Sequence, residues 1–123
     1  MKILIVDDDE ICRQMLSRIL LQEGLHEITT AFDGENALRL LESPKFHFDV
    51  LFLDIEMPKV NGIEVLKKLR AEGAAFADLK IIVCSSVSLP ILQDCLKLGA
   101  QYFVTKPARK EVVHQKLHLA VAA

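Results

Sequence analysis

The chain reads as one α/β domain built on a five-stranded parallel sheet with helices on both faces. Three observations point there. Short apolar runs alternate with amphipathic segments along all 123 residues. The runs Ile3-Leu4-Ile5-Val6 and Val50-Leu51-Phe52-Leu53 have no polar face to show to water, as expected of parallel strands covered on both sides. Carboxylates come directly after both runs, Asp7-Asp8 after the first and Asp54 after the second, and the C-terminal ends of such strands are where open α/β sheets gather their sites.

Taken in order, Ile3 to Val6 is the first strand. A helical pattern comes next with Ile11, Met15, Leu16, Ile19 and Leu20 on one face, ending near Gly24. Glu27 to Ala31 alternates polar and apolar and carries two threonines, which predicts a strand with one wetter face at an edge. Gly34 to Ser43 places Ala37, Leu38 and Leu41 on a second helix, stopped before Pro44. After the Val50 to Leu53 strand comes a loop with Met57-Pro58 and Asn61-Gly62. A third helix then turns Ile63, Leu66 and Leu69 inward and stops near Gly73.

Lys80 to Cys84 is a fourth strand. Ser88 and Pro90 suit the cap and first turn of a fourth helix, with Ile91, Leu92, Cys95 and Leu96 inward and Gly99 closing it. A fifth strand runs from about Gln101 to Val104, and a last helix from about Ala108 to Ala120 turns Val112, Val113 and Leu117 inward. No linker, low-complexity segment or repeat interrupts the β-α alternation. Right-handed crossovers then cover both faces of the sheet. Asp7, Asp8, Asp54, Ser85 and Lys106 all fall at one rim.

Composition narrows the function. The chain is 51% hydrophobic and 26% charged, which is globular and not disordered. A net charge of -2 offers no electrostatic case for nucleic acid or an anionic membrane, and no apolar stretch approaches spanning length. Cys12, Cys84 and Cys95 lack metal or redox spacing and read as reduced thiols, with the cytoplasm as the default compartment. His114 and His118 sit four residues apart and offer two zinc ligands, without an apparent third. His26 and His47 read as surface loop residues.

Clustered carboxylates repel one another unless a cation or a raised pKa relieves them, and a hard divalent ion such as Mg2+ is the simplest relief. Each rim residue also has a plainer reading. Asp7 to Glu10 could be a solvated turn feeding a helix N-terminus, and Asp9 and Glu10 are assigned to that role. Asp54 could end a strand, Lys106 face solvent, Ser85 form a turn and Phe103 fill core. Their shared rim is the feature that outweighs these readings.

The run Lys2 to Glu10, then Asp54-Ile55-Glu56-Met57-Pro58 with Asn61-Gly62, and Gly99-Ala100 with Lys106-Pro107 after it, resembles the receiver domain of bacterial two-component response regulators, in particular the single-domain, chemotaxis-regulator type. The resemblance spans essentially residues 1–123. It implies a flavodoxin-like, doubly wound sheet of order 2-1-3-4-5 with five helices. It implies that Asp54 is the phospho-acceptor. It also implies that Asp8, Asp54 and the backbone carbonyl of Glu56 hold Mg2+, with Asp7 supporting the ion through water. Ser85 and Lys106 would meet the phosphoryl oxygens, Ser85 and Phe103 would form the switch, and Lys106-Pro107 is a candidate cis peptide bond.

Phosphoryl transfer to a carboxylate needs little beyond an in-line nucleophile and neutralised equatorial oxygens. The resemblance further implies a sensor histidine kinase or histidine phosphotransfer protein as donor. A downstream protein target would bind the surface of helix four, strand five and helix five, where Lys97, Tyr102, Arg109 and Lys110 are the exposed candidates. A homodimer could form through that same surface. Such a module is not an enzyme beyond its own phosphorylation and dephosphorylation.

Three positions depart from the commoner pattern: Ser85 stands for threonine, Ser86 for a small alanine, and Glu56 puts another carboxylate at the site mouth. Glu56 and Val87 match positions associated with the lifetime of the phosphoryl group. Two other readings stay open. One is a Mg2+-dependent aspartyl-phosphate phosphatase using Asp7 with Asp9, though the Gly-Thr expected after them is missing. The other is a receiver-like scaffold that dimerises without phosphorylation. Met1 before the first strand and the Ala-Val-Ala-Ala end favour a free-standing regulator over a fragment of a longer protein.

Overall fold

The computed structural model describes residues 1–57 and 60–122; Pro58 of the expected Met57-Pro58 loop lies outside them. The elements are β1 (Lys2–Val6), α1 (Glu10–Glu23), β2 (Glu27–Ala31), α2 (Gly34–Glu42), β3 (Val50–Leu53), α3 (Gly62–Ala71), a 3-10 turn (Gly73–Phe76), β4 (Lys80–Ser85), α4 (Leu89–Lys97), β5 (Tyr102–Thr105) and α5 (Lys110–Ala122). All strand pairs are parallel, in the expected order β2-β1-β3-β4-β5. The chain winds outward from β1 to β2, then crosses back to β3. This reversal opens a crevice at the C-terminal ends of β1 and β3.

Side chains alternate between the two faces of the sheet. Leu4, Val6, Leu51, Leu53, Ile81 and Val83 pack with Ala37, Leu41, Leu66, Leu69, Leu92 and Cys95 of α2, α3 and α4. Ile3, Ile5, Val50, Phe52, Ile82 and Cys84 pack with Leu16, Leu20, Val113 and Leu117 of α1 and α5. Burial on both faces is why these strands carry no polar alternation. The edge strands β2 and β5 carry exposed and half-buried residues such as Thr30 and Thr105.

The helices begin where capping chemistry allows. Asp9 accepts from the amides of Ile11 and Cys12, Asp33 from Asn36, and Asn61 from Glu64, each satisfying amides that a helix start leaves free. Ser88 stands at the α4 cap without a side-chain bond, and Pro90 fills the first turn. Gly99 closes α4 at φ 104°, a left-handed conformation that favours glycine.

Three expectations need correction. Ile11 is 67% and Met15 46% exposed, because the first turns of α1 overhang the rim where β1 has already ended. The true stripe is Leu16 and Leu20, with Ile19 partly buried beside them. Ile91, in the first turn of α4, is exposed for the same reason. His26 is no surface residue: its imidazole is 9% exposed and lies against Glu23.

Candidate functional site

The register sets the site. Val6 pairs with Leu53 and Leu53 with Val83, so Asp7 and Asp54 leave the sheet at one level. The Asp54 amide donates to Val6 O at 2.9 Å and the Asp7 amide to Ala31 O at 3.1 Å, which holds both backbones in the ladder one residue past the strands. Ser85 pairs with Thr105, and the Lys106 amide donates to Ser85 O at 3.1 Å. Four strand ends thus converge on one crevice.

Carboxylate oxygens of Asp7, Asp8 and Asp54 lie within 4.8 Å of one another. Asp7 and Asp54 are buried, while Asp8 opens to solvent. Lys106 Nζ reaches Asp7 Oδ2 at 2.7 Å and Asp54 Oδ2 at 3.4 Å. Burial, and then the neighbouring Asp7 charge, raise the Asp54 pKa above the usual carboxylate value; Lys106 only partly opposes this. Burial works against the Lys106 charge, but its bond to Asp7 and the field of both aspartates outweigh it and push the ammonium pKa up. Among the described residues, one ammonium is paired with this group of three acids. The donors are all carboxylate oxygens, which suits a hard divalent cation.

The Ser85 side chain is fully buried. It lies near enough to the Asp54 carboxyl to favour the charged form, yet its Oγ forms no hydrogen bond of acceptable geometry. The hydroxyl thus stands beside the carboxyl without being aligned to it. Phe103 is half-buried on β5, against the core face of α3 and α4. The Lys106-Pro107 bond is cis, as the resemblance implied.

Glu56 is exposed and shares a groove of about 570 Å3 with Asp8, Met57, Asn61, Val87 and Ile91 beside the aspartates. Gly62 matters here, because a Cβ at that position would lie 2.4 Å from Asp54 O, so only glycine lets α3 start against the site. Asp9 keeps the role assigned to it: amides of Cys12 and Ile11 bond its carboxylate and lower its pKa.

Sequence reasoning missed Arg13. Its Nη1 donates to Asp7 O at 2.7 Å and ties α1 to the loop that carries Asp7 and Asp8. A signal existed: arginine in the first turn of a helix stands against the helix dipole, so another partner had to compensate. Tyr102 is half-buried, with Lys116 Nζ 5.6 Å over its ring; Lys97, Arg109 and Lys110 keep their places on the α4-β5-α5 side, with Arg109 and Lys110 exposed.

A fold of this order with acids at the β1–β3 crevice is the architecture of a receiver, and comparison with known proteins agrees. The chain belongs to the response regulator receiver domain family, whose model matches residues 3–118. It is a receiver domain of two-component signalling. Vibrio cholerae chemotaxis protein CheY4 is 32% identical, with a TM-score of 0.83 and 97% of each chain covered. CheY in the CheX-CheY-BeF3-Mg2+ complex from Borrelia burgdorferi is 31% identical, with a TM-score of 0.89, covering 98% of this chain and 89% of that one. Among curated proteins, the protein-glutamate methylesterase/protein-glutamine glutaminase of Treponema denticola is 36% identical over 114 residues, 89% of this chain but 29% of that protein. The chain therefore spans about a third of such relatives.

Proposed function

We propose that Asp54 accepts a phosphoryl group from a sensor histidine kinase or histidine phosphotransfer protein, with Mg2+ bound, and that this changes the surface formed by α4, β5 and α5. The observation that carries the reading is the Lys106 ammonium 3.4 Å from Asp54 Oδ2, within a cluster that still carries an excess of negative charge. The Asp54 oxygen attacks phosphorus in line as the bond to the donor breaks. Lys106 shifts from its ion pair with Asp7 toward one new oxygen, and the Ser85 hydroxyl, uncommitted beforehand, donates to another. Asp8, Asp54 and the Glu56 carbonyl would hold Mg2+ directly and Asp7 through water; bound there, it would supply positive charge against the transferred phosphoryl group.

As Ser85 moves toward the phosphoryl group, Phe103 takes up the space it leaves. This biases a pre-existing two-state equilibrium. The changed surface, bearing Lys97, Tyr102, Arg109 and Lys110, then binds a downstream protein target or a second copy of the chain. The reading carries a cytoplasmic location with it, in keeping with the free thiols of Cys12, Cys84 and Cys95.

A phosphatase working through Asp7 is less well supported. Asp9, which would act as the acid, is committed to capping α1 through the amides of Ile11 and Cys12. The decisive experiment tracks amide shifts by NMR on adding Mg2+ and beryllofluoride. Shifts centred on Asp54 and Ser85 and spreading through α4 to α5 are expected; shifts centred on Asp7 alone, or none, would sink the reading. Glu56, at the groove mouth, should govern the lifetime of the phosphoryl group. Glu56→Ala is expected to change the decay rate of phosphorylated protein, and equal rates would remove Glu56 from the mechanism.

A further inference from the structure

We infer that α4 is hinged at its C-terminal end, with Arg70 of α3 as the pin, so that its N-terminal half swings while Leu98 and Gly99 stay fixed. The inference rests on the phosphoryl reading for what drives the swing. Where the hinge lies follows from contacts among α3, β4 and α4.

Arg70 stands in the last turn of α3. Its Nε donates to Leu98 O at 3.1 Å and its Nη2 to Gly99 O at 2.9 Å. Both are carbonyls at the end of α4, where a helix leaves acceptors without partners and carries partial negative charge. A guanidinium suits them, because its donors are fixed in one plane and its charge is permanent. Gly99 makes the seat: a Cβ there would run into Arg70 Nε and push the guanidinium off the carbonyls. The same end is gripped from its other sides. The amides of Leu98 and Ala100 donate to Asp94 O and Cys95 O. Gln101 bonds Ile81 of β4 twice, through its own amide at 2.8 Å and through its Oε1 at 2.6 Å. Cys95, Leu96, Leu98 and Ala100 all join the core there.

Among the described residues, the opposite end of α4 has no comparable grip. Ser88 occupies the cap without a side-chain bond, and Ser86, Leu89, Pro90 and Ile91 are exposed. Of the first turn only Leu92 is buried. Only Ser86, Val87 and Ser88 separate this end from Ser85. A movement of Ser85 toward the aspartates is therefore handed to the end of α4 that can follow it. An end with few buried contacts opens at a lower free energy than an end with many, and hinges sit at element termini. Rotation about Gly99 carries Leu89 and Ile91 through the widest arc and Lys97 through the narrowest.

The test is amide hydrogen exchange by NMR on the full chain, followed by amide shifts on adding Mg2+ and beryllofluoride. Protection at Leu98 and Ala100 is expected to exceed that at Leu92 by at least about tenfold. Arg70→Ala should lower protection at Leu98 and Ala100 at least about tenfold and leave Leu92 within about twofold. Arg70→Lys, which keeps the charge without the fork, should fall between. Lys67→Ala, an exposed position on the same helix, should match the wild type. Beryllofluoride shifts in the wild type should be largest from Leu89 to Leu92 and fade by Leu98; in Arg70→Ala they should extend through Gly99. Even protection along α4, wild-type protection in Arg70→Ala, or equal shifts at both ends of wild-type α4 would overturn the hinge. No beryllofluoride shifts anywhere would sink the phosphoryl reading and the swing with it, while the exchange data still decide the pin.

Discussion

Both ends of α1 adjoin a largely buried carboxylate, and the two are held by opposite electrostatic arrangements. At the rim, carboxylate oxygens of Asp7, Asp8 and Asp54 crowd within 4.8 Å of one another, with Lys106 the one ammonium paired to them among the described residues. Burial, and after it the charge of Asp7, raise the pKa of Asp54 there. At the far end, Glu23 stands alone between two imidazoles. The rim is thus destabilised in a way that a cation can relieve, whereas Glu23 already has an imidazole beside each of its oxygens.

The comparison breaks most decisively at Asp54. Asp54→Asn is expected to abolish phosphorylation, measured as acid-stable, base-labile label from acetyl phosphate. Label retained at the wild-type level would refute the acceptor assignment. The same variant should melt a few degrees higher than wild type at pH 7 in metal-free buffer. With its folded-state pKa raised, Asp54 makes the folded protein bind more protons than the unfolded chain between the usual carboxylate value and the raised one. Stability therefore falls as pH rises through that interval, and the asparagine removes that loss. A lower melting temperature would mean that the ion pair with Lys106 outweighs the repulsion.

Mg2+ at a hundredfold over its Kd should stabilise the wild type by about 2.7 kcal/mol, and Asp8→Asn should lose most of that gain in thermal scans. At the other end the sign reverses. Glu23→Gln in metal-free buffer should destabilise by about 1 kcal/mol, the scale of a partly buried polar contact, where Asp54→Asn stabilises. The smallest effect belongs to Ser85→Ala. Because its hydroxyl is buried without an aligned bond, stability should be unchanged or rise by up to about 1 kcal/mol. Beryllofluoride-induced shifts at Phe103 should nevertheless be lost, and a large drop in melting temperature would show an overlooked bond.

Much of the rim was legible without coordinates. Asp7, Asp8 and Asp54 come immediately after apolar runs, and a parallel strand delivers the residues beyond its C-terminus to one end of the sheet. Sequence position therefore equals spatial position there, and the same holds for Ser85 and, one residue past β5, for Lys106. Periodicity was less informative at helix ends: Ile11, Met15 and Ile91 keep the helical spacing, but nothing local reports where the sheet beneath them stops. Arg13 was hidden because its partner is a backbone oxygen, which every residue offers.

The chain's own pattern of apolar runs, caps and turn residues determined the sheet, its wet edge strand and the gathering of acids at one rim, because each depends on neighbours a few residues away. Tertiary structure alone decided how those acids share one lysine, and that the Ser85 hydroxyl lies buried and unaligned. It alone set Glu23 between His26 and His118, 95 residues apart from Glu23 to His118 along the chain. Contacts between helices brought together by packing leave no periodicity in either helix, so their chemistry becomes visible only once the core has placed them side by side.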